Sequence, residues 1–139
     1  MRVLALDHGE AHCGCAISDP TGTLATPLDP VENPDTRAGL NAIVELVRDR
    51  EVGKVVVGLP LRLDGADSAQ TEAAREFATR LLARLEPLGV DVRLHDERLT
   101  TRQARAGGGL ASEHSRAAAH LLASWLEVQG AVRTSDRSL

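Results

Sequence analysis

Aromatic residues are almost missing from this sequence: Phe77 and Trp125 are the only two, and there is no tyrosine. Base-stacking platforms for single-stranded nucleic acid need exposed rings, so their scarcity argues against that mode of binding. Cysteine is scarce as well. Cys13 and Cys15 stand two positions apart, a spacing that points both side chains to one face of a strand and leaves a disulfide between them implausible. A reducing compartment follows as the expectation. With histidines 8 and 12 close by, the cysteines invite a zinc reading, but small core residues are the commoner use of such a pair. No apolar run approaches the roughly 20 residues of a membrane span, and MRVLALDHGE has too few apolar residues for a signal peptide. The chain is therefore expected to be cytoplasmic, with no membrane partner. Its net charge of −4 argues against a strongly basic binding surface, although arginines 98, 102, 105 and 116 gather in the last third.

What the chain does contain is the material of one α/β domain. Its 139 residues suit a single unit over 1–139, with 131–139 expected as a flexible tail. Residues 2–7 and 12–18 read as a strand hairpin across His8-Gly9-Glu10-Ala11, and a weaker strand is expected near 22–28. Apolar residues at helical spacing over about 36–50 predict a helix. The β-branched run KVVVGL (54–59) predicts a strand buried on both faces, stopped by Pro60. Asp67 and Gln70 resemble a capping box for a helix to about Leu85. A strand follows at 90–94, then a short helix over 100–106 opened by Thr100 and Gln103, and a last helix over 113–128 capped by Ser112. A hairpin followed by alternating strands and helices predicts an α/β layer structure with a mixed sheet.

Chemistry could sit at three element ends: Asp7, the run His95-Asp96-Glu97, and Glu113-His114. An Asp before a turn glycine is as often a turn residue as a ligand, and Glu113 in a first turn suits the helix dipole. Two carboxylates about 4 Å apart would repel by roughly 4 kcal/mol at an effective dielectric of 20. A divalent cation removes that repulsion, and oxygen donors favour magnesium or manganese.

The stretches LALDHGEAHCGCAISD, VVVGLPLRLDG, DERLTTRQA and HSRAAAHLLASWL together resemble the YqgF/RuvX family in order and spacing, from about residue 2 to 127. Its members are small RNase H-like proteins described as Holliday junction resolvases and as pre-16S rRNA processing nucleases. The resemblance implies an RNase H-like fold with a mixed five-stranded sheet flanked by helices. It also implies a metal-dependent nuclease acting on structured nucleic acid, either an rRNA precursor or branched DNA, with a homodimer implied if the substrate is a junction. Carried onto this chain, the family's acids fall on Asp7, Glu97 and the position of His114, where an aspartate is usual. A two-metal Mg²⁺ or Mn²⁺ site would be bridged by Asp7, with Glu97 and His114 each holding one ion. Glu113 is the alternative third ligand. Gly9, Arg98, Thr100, Thr101, Arg102 and Arg105 are the candidate phosphate contacts. Ala11-His12 stands where the family carries a Lys-Arg pair, which removes two positive charges. Two rival readings are a binding module that no longer cuts, having lost the third acid, and a fragment of an actin-like ATPase, whose D-x-G loop this chain shares.

Overall fold

The computed structural model describes residues 1–99 and 112–137. Five strands, β1 (Arg2–Asp7), β2 (His12–Ser18), β3 (Ala25–Glu32), β4 (Val52–Leu59) and β5 (Asp91–Asp96), form one sheet in the order β3-β2-β1-β4-β5. β1–β2 and β2–β3 pair antiparallel, while β1–β4 and β4–β5 pair parallel. The sheet is thus mixed, as the element order predicts. Three helices accompany it: α1 (Arg37–Asp49), α2 (Ala69–Leu85) and α3 (Glu113–Arg137).

Strand alternation divides the core into two layers. Leu4, Leu6, Cys13, Cys15, Val55 and Val57 point to the face covered by α1 and α2, where Ile43, Phe77, Leu81 and Leu85 are fully buried. Val3, Ala5, Ala16 and Val56 point to the opposite face and pack on Ala118, Leu121 and Leu122 of α3. Successive side chains leave opposite faces of a strand, so Asp7 falls with Val3 and Ala5 on the α3 side. That parity positions the site.

Four boundaries differ from the sequence expectation. β3 runs four residues further, through Pro27 and Pro30, which an edge strand tolerates because one side of its backbone has no partner to serve. β5 continues through His95 and Asp96 because Gly58 and Leu59 of β4 pair with them. The capping box at α2 is formed by Ser68 and Thr71, not Asp67 and Gln70, and the Thr71 hydroxyl also donates to the Pro60 carbonyl at 2.6 Å. Ser68 satisfies the helix end, leaving Asp67 to pair with Arg75. α3 continues past residue 128 to Arg137, since no proline stops it and one glycine lowers helix stability by only about 1 kcal/mol. Ser112 opens α3 as predicted, its Oγ accepting from the Ser115 N–H at 3.1 Å. The helix expected over 100–106 lies outside the described residues. Both cysteines are free and buried. Among the described residues no helix is long and apolar enough to cross a membrane.

Candidate active site

Asp7 ends β1 between two glycines. Gly14 is its antiparallel partner on β2, and Gly58 comes one step past the Leu6–Val57 pair on β4. Each glycine leaves a place that another group fills. A Cβ on Gly58 would lie 2.4 Å from Glu97 Oε1 and 3.0 Å from its Cγ, so the missing side chain is the space into which the Glu97 carboxylate folds. A Cβ on Gly14 would lie 1.9 Å from the His114 carbonyl oxygen, so the first turn of α3 rests directly on the backbone of β2. The same approach satisfies a buried donor: the register shifts between Cys13 and Cys15, and the Cys15 N–H finds Ser115 Oγ at 3.3 Å. A sheet irregularity, two glycines and one serine thus bring β1, β5 and α3 together around Asp7.

Glu97 opens a short 3₁₀ turn, Glu97–Leu99, that follows β5. Burial, then its contact with the Asp7 carboxyl, push its own acid up to about 8. At neutral pH Glu97 is therefore protonated in the absence of a cation. Asp96, beside it, is spoken for: Arg98 binds it through Nη2 at 2.7 Å, through Nε and through its backbone N–H. That pairing holds the Asp96 carboxyl below the usual range.

Two hollows flank the carboxylate pair. The larger, of 460 Å³, lies on the hairpin side and is lined by Asp7, His8, Gly9, Glu10, Asp35, Glu97 and residues of the α2 start. Its histidine is a fixed part of the wall. The His8 side chain is 6% exposed, its Nε2 lies 3.0 Å from both Asp35 oxygens, and its ring is 4.6 Å from that of Phe77. The smaller cleft, of 210 Å³, has Asp7 and Glu97 on one side and Ala117, His120 and Leu121 of α3 on the other.

Of the residues singled out in the sequence, Asp7, Gly9 and Glu97 come together in one cavity. His114 does not line either hollow: its backbone covers Gly14, while its ring lies 5.1 Å from that of His12. Glu113 is exposed in the first turn of α3. Arg98 is engaged by Asp96. Thr100, Thr101, Arg102 and Arg105 lie outside the described residues. Among the described residues no group of three His, Cys, Asp or Glu side chains is arranged to hold a metal ion, which also disposes of a zinc site at the cysteines. The sequence did not reveal the roles of His8, Gly58 and Ser115. The Gly58 signal was present, a glycine breaking a β-branched run one residue before its end.

A mixed five-stranded sheet with α1 and α2 on one face and α3 on the other, carrying carboxylates at the ends of β1 and β5, is an RNase H-like fold of the RuvC kind. Thermus thermophilus RuvC in complex with a Holliday junction substrate superposes with a TM-score of 0.65 over 94% of this chain and 96% of that one, at 14% identity. Residues 1–128 match the family described as RuvX, Holliday junction resolvase, and the chain belongs to that family. A relative from Anaeromyxobacter sp. (strain Fw109-5), named "Putative pre-16S rRNA nuclease", is 40% identical over 136 residues, spanning 91% of this chain and 97% of that one. A protein of the same name from Escherichia coli (strain SE11) is 39% identical over 105 residues, 76% and 74% of the two chains.

Proposed function

We propose that this chain hydrolyses phosphodiester bonds of structured nucleic acid with the help of a divalent cation held between Asp7 and Glu97. One observation carries the reading: the fold buries the Glu97 carboxyl in the space cleared by Gly58 and sets it against the Asp7 carboxyl, so that Glu97 keeps its proton up to about pH 8. An arrangement that strained is explained by a positive charge that belongs between them. The donors are oxygens, which suits Mg²⁺ or Mn²⁺. Such a cation supplies Lewis acidity toward the phosphate and lowers the pKa of attacking water.

The side chains of this chain have their own parts. Asp7 and Glu97 line both hollows, and in giving up its proton Glu97 would gain the charge that anchors a cation. Gly9 and the His8–Asp35 pair fix the hairpin that carries Asp7. Arg98, one residue past Glu97, is held by Asp96 and is the cation nearest in sequence for a phosphate to meet. His114 stands at the family's third-ligand position, but its ring lies against that of His12 and lines neither hollow, so the reading gives the cation to Asp7 and Glu97.

The relatives' names supply two substrates for the test, an rRNA precursor and a labelled four-way DNA junction. Both are incubated with the protein in Mn²⁺ and in EDTA. Cleavage of either in Mn²⁺ alone supports the proposal, and cleavage of the junction further requires a dimer in solution, because resolution needs two sites. Binding of both substrates without cleavage under any metal would establish the non-cutting module instead. Manganese titration of His114→Ala tests the third ligand: unchanged affinity removes His114 from the site.

A further inference from the structure

The turn that precedes α1 reaches across to the strand end that carries Asp7, and the helix it opens does not account for its acid. Asn33-Pro34-Asp35 offers helix-start chemistry, yet the cap of α1 is Thr36, whose Oγ accepts from the Gly39 N–H at 3.0 Å. The Asp35 carboxylate is engaged elsewhere. Both of its oxygens lie 3.0 Å from Nε2 of His8, and because a carboxylate accepts, the ring nitrogen is the donor. His8 is the residue directly after Asp7. Its side chain is largely buried, with the ring against that of Phe77 on α2. A phenyl ring would fill that space without needing a polar partner, so packing alone gives no use for a histidine here.

The same turn holds the β1–β2 connection at a second point, where the Asn33 N–H donates to the Ala11 carbonyl at 2.8 Å. The turn is itself seated on α1, because a Cβ on Gly39 would run into the Asn33 carbonyl. Asp35 is thus fixed to a helix, His8 to Asp35, and Asp7 to His8 through one peptide unit, whose planarity leaves few soft torsions between them. Strand parity puts Asp7 on the α3 side, while the His8 ring lies against Phe77 on the side of α1 and α2. Holding one of two adjacent side chains on one face fixes the direction in which the other leaves the opposite face. Resting on the nuclease reading above, we infer that Asp35 is a positioning residue for cleavage, acting through His8 to hold the Asp7 carboxylate where it meets Glu97. Small displacements of a catalytic group are costly in rate, and groups that orient a metal's ligands typically matter by about ten- to a hundredfold.

The experiment compares wild type, Asp7→Asn, Asp35→Ala, His8→Phe, the double variant of the last two, and Thr36→Ala on the labelled junction and rRNA precursor in Mn²⁺. His8→Phe keeps a ring on Phe77 and loses the tie to Asp35, while Thr36→Ala removes the α1 cap and leaves that tie in place. Circular dichroism confirms that each variant is folded, and the ¹³C signal of the Asp7 carboxyl is followed in metal-free protein. The expected result is a fall in kcat of about tenfold in Asp35→Ala and in His8→Phe, with KM within twofold of wild type. The double variant should fall no further than either single one, since both break the same link. Thr36→Ala should keep its kcat within twofold of wild type, and the Asp7 carboxyl signal should move in Asp35→Ala and not in Thr36→Ala. A kcat of Asp35→Ala within twofold of wild type, with Asp7→Asn inactive, overturns the inference and leaves the nuclease reading standing. So does an equal loss in Thr36→Ala, which would mean a general loosening of α1, or a double-variant loss equal to the product of the single ones, which would exclude action through His8. A raised KM at unchanged kcat also overturns it, since Asp35 would then touch substrate. If wild type cuts neither substrate, the nuclease reading fails and the carboxyl signal decides: a shift in Asp35→Ala supports the positioning of Asp7, and an unmoved signal refutes it.

Discussion

Replacing Glu97 by Gln is expected to make the metal-free protein more stable at pH 8.5 and to leave it nearly unchanged at pH 5. Glu97 is an acid whose folded-state pKa, about 8, stands above its ordinary 4.5 because of burial and the Asp7 carboxyl. Between those two values the folded state holds the proton more tightly than the unfolded chain does, so stability falls as pH rises through the interval and levels off above it. At 1.36 kcal/mol per pH unit the full interval corresponds to at most about 5 kcal/mol. Water reaches part of this half-buried side chain, which reduces the expected penalty to about 2 kcal/mol. Gln has the same shape, can donate to Asp7 and never ionises. Urea unfolding in EDTA from pH 5 to 9 should therefore show the variant pulling away from wild type up to about pH 8, by about 2 kcal/mol. Adding Mn²⁺ at pH 8.5 should raise wild type and not the variant. A difference that does not vary with pH, or a variant less stable than wild type at pH 8.5, would refute the reading of Glu97 as a strained partner of Asp7.

Two further substitutions probe the construction of the site. Gly58→Ala places a methyl group against the Glu97 carboxylate; cleavage should drop about a hundredfold, as expected for an ångström-scale displacement of a catalytic group, while the circular dichroism spectrum stays that of wild type. Ser115→Ala removes the acceptor of the buried Cys15 N–H and should lower unfolding free energy by about 1–3 kcal/mol, measured by urea titration.

Those predictions rest on features of unequal visibility in the sequence. β1, β2 and α2 were legible because their apolar residues repeat with the period of the element, and Asp7 drew notice because a carboxylate closes a core strand. The resemblance to the RuvX family placed Glu97 as its partner, which no local pattern could do across 90 residues. Ser68 was overlooked as the α2 cap because Asp67 offers the same signal one residue earlier, and only the Thr71 bond to Pro60 decides between them. Gly14 looked like an ordinary strand residue between two cysteines. Its function depends on a helix that begins 99 residues later, and such a contact leaves no local trace.

The central claim is that Asp7 and Glu97 hold a cation for phosphodiester cleavage, and Asp7→Asn tests it most directly. The variant keeps the size of the side chain at the end of β1 and removes its charge, so the fold should persist. Cleavage of the rRNA precursor and of the four-way junction is measured in Mn²⁺ beside Mn²⁺ affinity. The account predicts that Asp7→Asn folds as wild type does, loses Mn²⁺ binding and cuts neither substrate. Undiminished cleavage by a folded Asp7→Asn protein would contradict it.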